Sequence, residues 1–182
     1  MKKLLLCVLL CLGVAAQDLK VYAIDVEGGK STLYVSPSGE SMLVDAGYGG
    51  FRGRDAKRVA AAVRAAGVKQ IDYLVITHYH HDHVGGVRGL AATLPIRNFV
   101  DHGRNFETRK DVSVEYGAYL KARSKARHIE VKAGDRIPIL GIDVQVVTAS
   151  GVAIKGTGYP NPLCKGRQPI AADDAKTHAP SA

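Results

Sequence analysis

Cysteine is scarce in this chain, internal repeats are absent, and no apolar run is long enough to cross a bilayer. Cys7 and Cys11 fall within the first sixteen residues, so a chain cleaved after them keeps only Cys164. An intrachain disulfide is then excluded. The longest apolar run, LLLCVLLCLGV at 4–14, falls short of the roughly 20 residues that a membrane span requires. Disorder is excluded as well, because 46% hydrophobic and 23% charged residues is an ordinary globular composition. A length of 182 residues leaves room for one domain with a core and hardly for two.

The apolar run has a different meaning at the N-terminus. Lys2 and Lys3 form a basic start, and VAA at 14–16 puts small residues just before Gln17. That succession reads as a secretory signal peptide over residues 1–16, which implies a secreted or periplasmic protein. Leu10 occupies the place where a lipoprotein signal would carry a small residue before Cys11. The net charge is +8, and loss of Lys2 and Lys3 leaves 8 − 2 = +6. A basic balance favours anionic partners without fixing one. KARSKAR at 121–127 reads as a solvated helix face, with a nucleic-acid patch as the alternative.

The pattern along residues 17–150 is that of a layered α/β (α+β) domain. LKVYAIDV (19–26) alternates like a strand, and STLYVSPSGESMLVDAG (31–47) reads as a hairpin about Pro37–Gly39. RDAKRVAAAVRAAG (54–67) predicts a helix with Asp55 as N-cap, Val59 and Val63 on the apolar stripe and Gly67 just past its end. IDYLVI (71–76) reads as a strand buried on both faces. Helices are expected within 84–94 and over about 112–127, with short strands at RNFV, HIEV, RIPIL and IDVQVV. Residues 151–182 carry no periodicity and read as a loop or disordered tail.

Three strand ends then carry acids or imidazoles: Asp45, the loop ITHYHHDHVGG (76–86), and Asp101-His102. Ligand sites of such sheets lie at the carboxyl ends of strands, so the three are expected to share a pocket. The loop holds four of the chain's seven histidines beside an aspartate. Imidazole and carboxylate are good ligands for zinc. His78 and His80 point the same way in extended chain and can chelate one ion. Asp82 and His83 follow a turn and can face a second. Asp82 is also the candidate catalytic group, orienting a hydroxide or accepting its proton. His81 is a spacer.

THYHHDH (77–83), followed by Gly85 and Gly86, resembles the T-H-x-H-x-D-H signature of the metallo-β-lactamase superfamily. IDV with its glycines, then a strand and DAG, most resembles the branch related to the hydrolase domain of DNA-uptake competence proteins. The resemblance covers residues 19 to about 148. It implies an αβ/βα sandwich of two halves and an exported zinc hydrolase acting on a phosphodiester, β-lactam or thioester. By that resemblance His78 and His80 hold a first zinc, Asp82 and His83 belong to a second, and Asp45 supports them from behind. The family also uses a further histidine, a bridging aspartate and a last histidine, whereas VQVVTASG offers Thr148 where relatives offer a histidine. His102 could replace a missing ligand or be a surface histidine. His178 lies in the tail, and His128 is expected on a strand surface. The expectation is therefore the first half of the sandwich, with one sheet face exposed to water, an incomplete second metal site and weak activity. A non-catalytic exported module that binds metal or a partner is the alternative.

Overall fold

The computed structural model describes residues 18–156. The expected signal segment, Cys164, His178 and most of the expected tail lie outside them. Six strands form one mixed sheet in chain order: β1 (Lys20–Ala23), β2 (Thr32–Val35), β3 (Ser41–Val44), β4 (Ile71–Val75), β5 (Ile96–Asp101) and β6 (Arg127–Glu130). The first two pairings are antiparallel, as a meander gives, and the three from β3 to β6 are parallel. Each parallel step requires a crossover. The crossovers are α1 (Arg54–Ala65), the short helices α2 (His81–Val84) and α3 (Val87–Ala91), and α4 (Lys110–Arg123). Right-handed crossovers that all advance the same way across a sheet leave their helices on one face. The contacts of α1 with α3 and of α3 with α4 show that layer.

The strand period of two divides the core. Leu33, Leu43, Leu74 and Phe99 stand in register across β2 to β5, all but fully buried under the helices. α1 meets that row with Ala56, Val59, Ala60 and Val63, the i, i+3, i+4, i+7 stripe of an amphipathic helix. Each such aliphatic side chain contributes about 1.5–3 kcal/mol on full burial. Met42, Tyr73 and Val100 point to the other face.

That second face is less exposed than expected. The hairpin β7–β8 (Arg136–Ile137, Val144–Gln145) folds across it and buries Ile137 and Ile139 against Met42, Tyr73 and Val100. The Tyr73 hydroxyl donates to the Pro138 carbonyl at 2.8 Å, tying hairpin to sheet. A last hairpin, β9–β10 (Thr148–Ala149, Val152–Ala153), carries structure past the expected boundary at 150. No second αβ layer pair is present among the described residues.

One local expectation is corrected. Asp55 does not cap α1, whose N-cap is Gly53. Its buried carboxylate instead accepts the Tyr48 N–H at 2.9 Å and Arg54 Nε at 2.6 Å, bracing the 47–53 loop. The loop after β4 runs extended through His80 and then turns, as expected, with His81 to Val84 closing into a helical turn. Gly67 does occupy the left-handed position just past α1, with φ 76°.

Candidate metal centre

Asp45 follows β3 with φ 61°, a left-handed conformation that costs a non-glycine residue energy. Backbone hydrogen bonds hold it there. Its N–H donates to Val75, and the next N–H, of Ala46, donates to His83. The Ser31 hydroxyl donates to the Asp45 carbonyl at 3.0 Å. The side chain is thereby aimed at the loop after β4. One carboxylate oxygen accepts the Thr77 N–H at 2.9 Å, and the other accepts the Thr77 hydroxyl and His83 Nδ1, each at 2.8 Å.

Those bonds decide the imidazole tautomers. His83 gives its Nδ1 proton to Asp45, which leaves Nε2 with a lone pair. The Thr77 hydroxyl proton is spent on Asp45, so its oxygen can accept from His78 Nδ1 at 3.1 Å. His78 also presents Nε2. One donor atom each from His78, Asp82 and His83 lies within 4.8 Å of the others, and no other such group occurs among the described residues. The His83 Nε2 to Asp82 Oδ2 distance is 3.4 Å.

Electrostatics sort the two imidazoles. Burial lowers the pKa of His78, and the neighbouring His83 and His80 lower it further. Burial also pulls His83 down, but its hydrogen bond to Asp45 and the charges of Asp45 and Asp82 outweigh that and raise it.

His80 and His81 face elsewhere. The His80 ring lies 4.6 Å from that of His78, but its Nε2 meets Glu107 Oε1 at 2.8 Å. His81 packs edge-on against Tyr48 and approaches Glu115 at 3.5 Å. Between His78 and His80, Tyr79 points inward, as the strand period requires. It is buried among Tyr116, Tyr119 and His102, with its hydroxyl donating to the Gly103 carbonyl. The two glycines that end the loop allow backbone to pack on backbone. A methyl group on Gly86 would lie 2.0 Å from the Ala46 carbonyl oxygen, and one on Gly85 would lie 2.2 Å from the Gly49 nitrogen.

The third strand end does not join the cluster. Asp101 is turned toward α4 and β6, where its carboxylate accepts from Tyr119, Arg123, His128 and the Gly103 N–H. His128 lies exposed on the edge strand β6, as expected, and is also a partner of Asp101. His102 packs tilted against Tyr79, ring centroids 4.9 Å apart, with its Nδ1 buried and without a hydrogen-bond partner. Thr77 and Glu107 were not singled out in the sequence. Thr77 could have been found from its place directly before His78, whereas Glu107 reaches His80 only through the path of the loop after β5.

Comparison with known proteins gives a consistent result. The model of a family described as the metallo-beta-lactamase superfamily matches residues 24–164. A hydroxyacylglutathione hydrolase from Haemophilus ducreyi is 37% identical over 78 residues, 43% of this chain and 26% of that protein. One from Erwinia tasmaniensis is 30% identical over 122 residues, 67% of this chain and 39% of that protein. A ribonuclease Z from Alkaliphilus oremlandii is 39% identical over 64 residues, 35% of this chain and 18% of that protein. The chain thus spans well under half the length of these curated relatives. A solved Cronobacter sakazakii metallo-beta-lactamase motif mutant aligns with a TM-score of 0.47 at 21% identity, over 66% of this chain and 46% of that one.

Proposed function

The chain belongs to the metallo-beta-lactamase superfamily, and on that premise we propose that it is an exported, zinc-dependent hydrolase. The observation that carries this reading is the set of donors from His78, Asp82 and His83 within 4.8 Å of one another. Two imidazoles and a carboxylate suit zinc, and the hydrogen bonds described above leave both imidazoles with Nε2 available. His78, Asp82 and His83 would hold one ion, with His80 joining them once its Nε2 is freed from Glu107. Such an ion supplies Lewis acidity toward a carbonyl or phosphoryl oxygen and makes water more acidic.

The chain's own residues do the remaining work. Asp45 fixes the ring of His83 and keeps the proton on Nδ1, the role that a carboxylate behind a ligating histidine performs. Thr77 does the same for His78. Asp82 is about a third exposed and is the carboxylate placed to accept a proton on the open side of the cluster. Relatives named for hydroxyacylglutathione and for RNA support a thioester or phosphodiester substrate. Export is supported by the basic, apolar and small-residue succession of residues 2–16. Mass spectrometry of secreted protein should find Gln17 at the N-terminus, and an intact Met1 would refute cleavage.

The central test combines elemental analysis with turnover. The purified chain should hold zinc and slowly hydrolyse a lactoyl-glutathione thioester or a bis-nitrophenyl phosphodiester, with a chromogenic β-lactam as the third substrate. His78→Ala/His83→Ala should lose both metal and turnover. Full zinc content in that variant, or turnover indifferent to a chelator, would overturn the assignment.

A further inference from the structure

The helical layer carries a groove that the metal cluster does not use. A cavity of about 650 Å3 opens between α3 and α4, lined by Ala91, Ala118 and Ala122 and by Arg88, Lys121 and Lys125. It shares Arg88 and Ala92 with a second cavity of about 340 Å3, in which Arg52 stands against the glycine-rich backbone of 49–53 and 85–89. The two cavities therefore make one track. Four cations line it and no carboxylate does.

The cations of the track differ from six of the molecule's arginines in lacking a carboxylate partner. Arg54, Arg58, Arg97, Arg109, Arg123 and Arg136 each meet a carboxylate. Arg52, Arg88, Lys121 and Lys125 are exposed and form no ion pair among the described residues. The basic segment 121–127 is divided by the fold. Arg123 turns inward to Asp101, whereas Lys121 and Lys125 face the groove. Concentrated like charge costs self-repulsion that an anionic ligand relieves.

We propose that this track binds the phosphodiester backbone of a single-stranded nucleic acid. Arginine presents a planar fork matched to phosphate oxygens, and lysine adds point charge. Walls of glycine and alanine let a backbone approach closely. Phe51, 63% exposed beside Arg52 and with Arg54 4.6 Å over one face of its ring, flanks the track and leaves its other face for a base to stack on. An acidic peptide would find the charge but no deep apolar pocket for an anchoring side chain. The track is separate from the His78–Asp82–His83 cluster, and its occupancy is read as binding rather than turnover. It therefore stands or falls independently of the proposed hydrolase.

Fluorescence anisotropy of a labelled oligothymidylate with the full chain tests the assignment. Each neutralised strand phosphate adds a slope of about −0.7 in log K against log salt. Arg88→Gln/Lys121→Gln/Lys125→Gln should weaken binding at least about tenfold at low salt and flatten that slope by about 2. Lys20→Gln/Lys69→Gln/Lys132→Gln removes the same charge from exposed sites outside the groove and should change affinity less than about threefold. Arg88→Gln alone should flatten the slope by about 0.7, which preserves the test if the triple variant folds poorly. Equal losses in the two triple variants would overturn the proposal, as would an unchanged slope. Tighter binding of polyglutamate than of the oligonucleotide would overturn it in favour of an acidic peptide.

Discussion

Asp45 and Asp101 occupy equivalent places in the sheet and do opposite jobs. Each stands at the carboxyl end of a parallel strand, each is 0–1% exposed, and each carboxylate meets a histidine. The side-chain partners of Asp45 are Thr77 and His83, which belong to one loop; His83 keeps Nε2 toward an open cluster, and Thr77 turns its oxygen to His78. The side-chain partners of Asp101 are Tyr119 and Arg123 on α4 and His128 on β6, and they close around it. One carboxylate orients a site, and the other fastens a helix to a sheet edge. Burial and residue type do not separate these roles, but the direction in which the partners' remaining atoms point does.

The comparison breaks most visibly if Asp101 is removed. Asp101→Ala leaves Arg123 and the Tyr119 hydroxyl without their acceptor and should cost about 3–5 kcal/mol, measured by urea denaturation of metal-free protein. A loss under about 1 kcal/mol would show that the network is not structural.

Removing the cluster should act on metal and spare the fold. His78→Ala/His83→Ala should abolish most zinc binding while changing the stability of metal-free protein by less than about 1.5 kcal/mol, the net worth of an ordinary hydrogen bond. Calorimetric zinc titration and denaturation of the same samples give the two readings.

A subtler change sharpens the contrast. Asp45→Asn keeps a side chain that tolerates the left-handed backbone, but its amide would donate to His83 Nδ1 and drive the proton to Nε2. Zinc affinity should fall about 10–100-fold, as it does when the partner behind a metal-ligating histidine is changed. An unaltered affinity would mean that Asp45 does not set the tautomer.

pH separates the two carboxylate sites more gently. Burial alone would raise the Asp101 pKa, but hydrogen bonds from Tyr119, His128, Arg123 and the Gly103 N–H outweigh it and hold the carboxyl below its usual range. A depressed folded pKa stabilises fully above the unfolded value near 3.9 and is lost as pH falls through the folded one. Acid unfolding should therefore contain an Asp101 contribution below about pH 4 that Asp101→Asn lacks. NMR titration of metal-free protein should place His83 above and His78 below the ordinary imidazole value. The smallest effect is expected at His81, where Ala should leave zinc content unchanged, because the ring faces Tyr48 and Glu115.

Much of this was legible in the residue order. The apolar run IDYLVI announces a strand buried on both faces, and β4 is one. The stripe of Val59 and Val63 and the following Gly67 locate α1 to within two residues of its C-terminal end. Local periodicity carries those features, since each depends on neighbours within a turn or a strand step. The spacing in THYHHDH likewise brings the histidines together, because the chain between them is too short to separate them. Sequence could not show that the turn after His80 is helical, nor that Tyr79, inward by the strand period, packs among Tyr116, Tyr119 and His102. Periodicity alone does not separate Asp45 from Asp101, although the family resemblance marks Asp45 as a support of the metal site, and nothing foresees Glu107 at His80, because those outcomes depend on contacts between segments far apart in the chain. Strand order and helix packing alone decide which side chain a buried carboxylate meets, so the residues of the site belong to the sequence and their division of labour belongs to the fold.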